Sequence, residues 1–388
     1  MNIIHVLRAP VGGLFRHVVD LASGQAAHGH RVGLIADSRT GDGRAEAVLD
    51  SLASQLALGV TRIPMRRQPG PEDALGVWHV ARRLRAARAD VVHGHGAKGG
   101  ALARLAPAAS GTVRAYTPHG GSLHGAVAGR IHILLERLLM PRGNLYLFES
   151  AFAHDAFCRK IGDPPGVARV VHNGVGPADF EPVAIRSGAS DLVFLGELRA
   201  LKGVDVLIDA VDRLRATGRT VTAAIVGNGP DATALRSHVE RLSLAEAIRF
   251  YPAMPAREAF ALGRTVVIPS RAESLPYVAL EAAAAGKPLV ATRVGGIPEI
   301  LGPYSGALVN AGDADALARA LVAVLDDPEA ALRRAQALRR RVAAHFSLDA
   351  MVGAVLSAYE QTKAWVAQDA DSRVGQTNAT AWMRGAPS

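Results

Sequence analysis

Residues Phe194–Val211 read FLGELRALKGVDVLIDAV. An apolar run ends at Gly196, a loop holding Arg199 and Lys202 follows, and apolar residues then recur at helical spacing. Val206, Leu207, Ala210, Val211 and Leu214 share one face of a helix expected from about Gly203 to Thr217. The strand before it, DLVFLG, is apolar on both sides of its pleat, as a strand covered by helices on both faces must be.

The same alternation runs along the whole chain. Strands are expected at NIIHVL, RVGLIA, GVTRIP, DVVHGH, TVRAYTP, LYLFES and ARVVHN in the first half. In the second half they are expected at DLVFLG, VTAAIVG, IRFYP, TVVIPS, PLVATR and GALV. Helical stretches between them imply an α/β protein with parallel sheets. A length of 388 residues exceeds one ordinary core, so two domains are expected. We place them at 1–175 and 176–345, divided where Gly, Pro and Ser accumulate in NGVGPADFEPVAIRSGAS. Helical residues 346–367 are expected to pack back toward the first domain, and 368–388 to form a mobile tail.

Composition narrows the classes. Apolar content of 49% with 20% charge describes a globular chain. The single cysteine, Cys158, excludes an internal disulfide framework and fits a reducing compartment. The first residues lack a signal peptide's basic start, and no run approaches about 18 apolar residues. The expected location is cytoplasmic, with the inner face of the cytoplasmic membrane as a candidate peripheral seat. Of the net charge of +9, residues 1–180 carry +8, from 21 Lys/Arg against 13 Asp/Glu. That asymmetry favours an anionic partner: a lipid surface or a phosphate-bearing substrate. Aromatics are only 5%, and no zinc-finger spacing or aromatic-rich basic strand argues for nucleic acid.

Gly94-His-Gly-Ala-Lys-Gly99 has dinucleotide-loop spacing, but it follows the fourth strand and not the first. No Asp or Glu lies between Val91 and Leu135 to bind a ribose, which argues against a nicotinamide enzyme. The loop is expected to line a cleft beyond the strand ends, with His93 and His95 structural or lining an acceptor. RAPVGG, after the first strand, is the better phosphate loop. Gly12 and Gly13 let backbone approach a ligand where a helix begins near Leu14. In PSRAESLPYVALEAAAAGKP, Pro276 suits a first helical turn, which puts Ser274 or Leu275 at an anion-favouring helix start. Glu273 and Glu281 bracket that start. Arg199 and Lys202 could hold a diphosphate without a metal ion. Asp313-Ala-Asp315 imitates a metal site but reads as a helix cap.

LGELRALKG, ESLPYVALEAAAAGKPLVATRVGGIPEIL, GHRVGLIA, ADVVHGHGAKGGALARL and VHNGV together resemble the retaining nucleotide-sugar glycosyltransferases of family four, over about residues 1–365. The resemblance implies the GT-B architecture, two Rossmann-like domains facing across a cleft. It also implies an acceptor site in the first domain and a nucleotide-sugar donor, UDP- or GDP-linked, held mainly by the second. By that likeness Lys202 pairs with donor phosphates, Glu273 lies beside the donor sugar and Glu281 bonds the nucleotide ribose. Backbone N–H groups of Ser274 and Leu275 contact phosphate and sugar, Gly12 and Gly13 border the diphosphate, and backbone near Met254 reads the base. His119 matches the histidine near the reacting face of the sugar. Where many relatives have Gly-Arg, this chain has Gly196-Glu197, and Arg199 is the substitute cation.

The implied activity is a retaining, metal-independent hexosyl transfer without cofactor. Either a covalent glycosyl-enzyme through Glu273 or same-face attack with the leaving phosphate as base yields retention, and the resemblance favours the second. The acceptor would be a saccharide or a lipid-linked one, in exopolysaccharide, lipopolysaccharide or glycolipid synthesis. The helical segment HGAVAGRIHILLERLLMPRG, with Ile131, Leu134, Leu135, Leu138 and Leu139 beside Arg130, Arg137 and Arg142, offers a face for an anionic membrane. A nucleotide-sugar epimerase of the same architecture and a non-catalytic nucleotide-sugar-binding protein are the alternatives.

Overall fold

The computed structural model describes residues 1–119 and 128–383, the side chains of 128–129 and 369–383 excepted. Two compact units divide the chain. The first contains Met1–Glu149, Ala153–Val171 and Met351–Ser388; the second contains Ser150–Phe152 and His172–Ala350. The division at Val171/His172 falls just before the Gly/Pro/Ser-rich stretch, because ARVVHN pairs into the first sheet before the chain leaves it.

Among the described residues the first unit holds seven parallel strands: β1 (Asn2–Leu7), β2 (Arg31–Asp37), β3 (Val60–Ile63), β4 (Val91–His95), β5 (Val113–Thr117), β6 (Leu145–Phe148) and β7 (Val167–Val170). Their order is β3-β2-β1-β4-β5-β6-β7. Chain order reverses between β1 and β4, so the loops after those two strands diverge at a switch point. The second unit holds β8 (Ser190–Leu195), β9 (Ala223–Val226), β10 (Ile248–Tyr251), β11 (Gly263–Ile268) and β12 (Leu289–Ala291) in the order β10-β9-β8-β11-β12. Its switch point lies between β8 and β11. GALV does not form the expected strand. It makes one isolated bridge, Thr292 to Val309, after a 3-10 segment over Gly302–Ala307.

Each sheet is covered by helices on both faces, and each face has its own core. In the second unit Leu207, Val211 and Leu214 of the helix Val204–Ala216 pack on Phe194 and Ile225, while Ala279, Leu280 and Ala283 pack the opposite face with Val193 and Val266. In the first unit, Leu102 and Ala103 pack with Val6 and Val92.

The glycines of the Gly94-x-Gly-x-x-Gly99 segment serve helix packing. Its helix begins at once, Gly96–Leu105, with Gly96 at φ +64°. A Cβ at Gly99 would run into the Val6 carbonyl, at Gly100 into the Tyr116 ring, and at Gly94 into Gly100. These glycines bring the helix into contact with β1, β4 and β5, and that packing accounts for their spacing. The helix after β1 spans Gly12–Ala27, two residues earlier than the start expected near Leu14.

The last helix spans Leu348–Met383, and from Met351 onward it belongs to the first unit. Val352 packs against Gly24, the Tyr359 hydroxyl bonds His93 Nδ1 at 2.7 Å, and Lys363 Nζ pairs with Asp90 at 2.5 Å. The expected tail begins at 368. Its backbone is helical to Met383, its side chains from 369 lie outside the described residues, and 384–388 lie outside them entirely. No helix among the described residues is long and apolar enough to cross a membrane.

Candidate active site

The second unit's switch point brings two loops together. After β8 the chain makes a 3-10 turn, Ala200–Lys202, and Gly203 at φ +66° opens the next helix. Gly203 is required twice: its backbone is left-handed, and a Cβ there would strike the Pro269 carbonyl. That close approach lets the Lys202 turn rest on the loop after β11.

The contact is then braced. Arg271 N–H donates to Leu201 O at 2.8 Å, and its guanidinium reaches Ala200 O at 2.8 Å. The same guanidinium grips Asp205 in a two-pronged pair at 2.7 and 2.6 Å. On the other side, Gly295 and Gly296 press on the backbone of Glu273 and Ser274, and Gly296 N–H donates to Ser274 O at 2.5 Å. Sequence reading missed Asp205, Arg271 and this glycine turn, because nothing local links positions so far apart.

Between these supports Lys202 Nζ meets Glu273 Oε1 at 2.7 Å, and Ser270 Oγ donates to the same oxygen at 2.7 Å. The Glu273 side chain is 8% exposed and that of Lys202 27%, so the pair is screened from water on the carboxylate side and open on the ammonium side. Lys202 has three N–H donors and spends one on Glu273. The others can serve an anion.

The remaining expected residues fall as follows. Pro276 is the N-cap of the helix Tyr277–Ala284 and not its first turn, so Ser274 and Leu275 precede the helix by a further residue. Leu275 is buried, and its carbonyl accepts from Asn173 Nδ2 at 2.9 Å. Glu281 lies one turn into that helix and is half-buried. Met254 sits half-buried between β10 and the short helix Ala256–Phe260, against the core under β11. Arg199 does not join Lys202 at Glu273: it is exposed and pairs with Glu197 at 3.3 Å. Asp313 is a helix N-cap, accepting from Ala316 N–H at 2.8 Å, and Asp315 pairs with Arg213 at 2.8 Å.

The first unit carries Gly12, Gly13 and His119. Gly12 has φ +66°, and both glycines are exposed at the start of their helix. His119 follows β5 at φ +53° and bonds His95 Nδ1 through Nε2 at 3.1 Å. Burial, then His17, holds its pKa well below the usual histidine value. Burial does the same for His93 and His95, and brings His5 down to about 4. His5, His17, Gln25 and Tyr359 were not singled out in the sequence. The strand register sets His5 opposite His93, and the helices Gly12–Ala27 and Leu348–Met383 bring His17, Gln25 and Tyr359 to them.

Two family models cover the chain: Glycosyltransferase Family 4 matches residues 11–179, and Glycosyl transferases group 1 matches residues 189–327. A glycogen synthase from Mycobacterium tuberculosis is 32% identical, over 91% of this chain and 92% of that one. The chain belongs to glycosyltransferase family four. This family-four glycosyltransferase is also 32% identical to the GDP-mannose-dependent alpha-(1-6)-phosphatidylinositol monomannoside mannosyltransferase of Mycolicibacterium smegmatis, over 59% of this chain and 65% of the other. Among solved structures it is similar to Anabaena HepE, captured with UDP and glucose, with a TM-score of 0.75 at 19% identity over 93% of this chain and 100% of that one. That likeness establishes the GT-B fold for both.

Proposed function

We propose that this glycosyltransferase moves a hexosyl group, with retention, from a nucleoside-diphosphate sugar to a saccharide or lipid-linked acceptor, and does so without a metal ion at the diphosphate. The observation that carries the reading is the Lys202–Glu273 pair at 2.7 Å, buried on one side and braced on both. Cleavage of the sugar–diphosphate bond puts negative charge on the departing phosphate and positive charge on the sugar carbon. Lys202 answers the first charge and the Glu273 carboxylate the second, so both are stabilised more in the transition state than before it. Ser270 keeps the carboxylate aimed. Same-face attack, with the leaving phosphate accepting the acceptor's proton, fits a carboxylate already held by two donors better than a covalent intermediate does. Glu281 and Met254 serve the nucleoside, and Ser274, Leu275, Gly12 and Gly13 supply backbone to phosphate and sugar. The family likeness assigns His119 to the reacting face of the sugar.

The test is a thermal-shift screen against UDP-, GDP- and ADP-sugars, followed by transfer assays with the donor selected. Lys202→Ala and Glu273→Gln should each lower transfer at least about 100-fold while the protein stays folded. Near-normal turnover in either variant defeats the assignment. Donor rearrangement without any acceptor would instead mark an epimerase, and donor binding without turnover a silent binder.

A lipid-linked acceptor is favoured by one helix. In Ala128–Leu139 the buried face carries Glu136, which accepts from Arg104 and Tyr116 at 2.8 Å each, while Ile131, Leu134 and Leu138 stand 58–64% exposed. An inward-facing acid and an outward-facing apolar ridge reverse the usual order for a water-facing helix. Arg130 and Arg142 are exposed beside the ridge, whereas Arg137 is turned to the carbonyls of Lys160 and Ile161. This face should bind phosphatidylglycerol vesicles at low salt and release them as salt rises. Absence of binding at low salt, or binding by an Ile131→Ser/Leu134→Ser/Leu138→Ser variant equal to the parent's, contradicts it.

A further inference from the structure

Five histidines of the first unit lie in ring contact: His5 on β1, His17 in the helix after it, His93 and His95 on β4, and His119 after β5. Sugar transfer has a use for one of them. Their hydrogen bonds have a direction. With Gln25 Nε2 turned to the Tyr359 hydroxyl, Gln25 Oε1 faces His5 and can only accept, so His5 Nε2 carries a proton and donates at 2.8 Å. His5 Nδ1 then accepts from His95 Nε2–H at 2.9 Å. That leaves the lone pair of His95 on Nδ1, pointing at His119 Nε2 at 3.1 Å. One proton is shared across that last contact.

His17 offers a third ring nitrogen, and the three ligand atoms of His17, His95 and His119 lie within 4.8 Å of one another. We propose that His17, His95 and His119 form a binding site for a borderline divalent transition metal, zinc(II) foremost. Three imidazoles with an open fourth position are a donor set suited to such ions and not to magnesium or calcium. Zn–N bonds of ~2.0–2.1 Å at tetrahedral angles place ligand nitrogens about 3.3 Å apart, close to the His95–His119 separation. The ion takes the place of the shared proton, which moves to His119 Nδ1, so no ring gains or loses charge. The His95–His5–Gln25 chain is the outer support that fixes a ligand's tautomer and orientation.

A second triplet, His5, His93 and His95, also falls within 4.8 Å. It is fully buried, and His93 already spends both nitrogens, on Tyr359 at 2.7 Å and Thr117 at 2.8 Å. A metal there would break those bonds with no route in. The outer triplet is reached through half-buried His119, and its His17 lies one helical turn after exposed Gly13.

The test is competition for zinc between the full chain and a chromophoric chelator, for the parent, His17→Gln and His119→Asn. Asparagine tolerates the left-handed backbone of position 119. One zinc per parent chain is expected, held at least about tenfold more tightly than by either variant, as loss of a ligand requires. Parent affinity no greater than that of His119→Asn overturns the site, because His119→Asn leaves the inner triplet and every surface histidine intact. The consequence for activity rests on the proposed function: zinc withdraws His119 from the sugar and should inhibit transfer reversibly by chelator. Zinc binding without inhibition keeps the site and removes His119 from the transfer reaction.

Discussion

At the scale of single residues, Lys202 and Glu273 form a unit whose parts have different freedoms. Ser270 and Lys202 both donate to Oε1 of Glu273, which fixes the carboxylate while the ammonium keeps donors for a ligand. Ser270→Ala should therefore lower turnover more than donor affinity, because the buried carboxylate loses a charge-assisted bond of about 1.5–3 kcal/mol that does not touch the nucleotide. Steady-state kcat and KM, measured separately, check this; a change confined to KM contradicts it. Lys202 and Glu273 were legible in the sequence through a familiar spacing. Ser270 lay three positions upstream in the same quoted segment, yet its role depends on a rotamer that no spacing encodes. Arg199 was legible as a cation but not as the partner of Glu197, the residue that replaces the usual arginine.

At the scale of elements, the apolar runs announced twelve of the strands, since strands covered by helices on both faces are predominantly apolar. GALV failed because Gly306 and Ala307 belong to a 3-10 turn and the rest meets the sheet at one bridge only. The glycine spacing after β4 has two readings for a related reason: close helix–strand packing and close phosphate approach both require a missing Cβ, and the Val6 and Tyr116 contacts show the packing. Gly203 is where element and site meet. Gly203→Ala should destabilise the protein by more than about 1 kcal/mol, from the left-handed backbone and the Pro269 carbonyl together, and should lower transfer by displacing Lys202. Chemical denaturation and transfer assays on the same preparation test it. Full stability with full activity would mean the two loops do not depend on that contact.

At the scale of the whole molecule, the chain returns from the second unit to the first through the helix Leu348–Met383, and Tyr359 ties that return to the buried histidines. Those histidines give the fold a pH dependence of definite sign. Their folded pKa values are depressed, so below about pH 6.5 the unfolded chain takes up protons that the folded one refuses. The stabilisation is complete above pH 6.5 and is lost as pH falls toward the folded values. For His5, lowered to about 4, the loss over that window is roughly 3 kcal/mol. Midpoints of urea unfolding from pH 8 to 4.5 should be level above pH 7 and fall steeply below 6.5; a flat profile to pH 5 would contradict the burial of neutral rings.

The central claim is that the braced Lys202 turn receives the diphosphate of the donor. The direct measurement is calorimetric binding of the nucleoside diphosphate selected by thermal shift, and of its parent nucleoside, to the parent chain and to Lys202→Met. The diphosphate should bind Lys202→Met at least about tenfold more weakly, some 1.4 kcal/mol, with nucleoside affinity unchanged. Equal diphosphate affinity in the two proteins would show that Lys202 holds no phosphate.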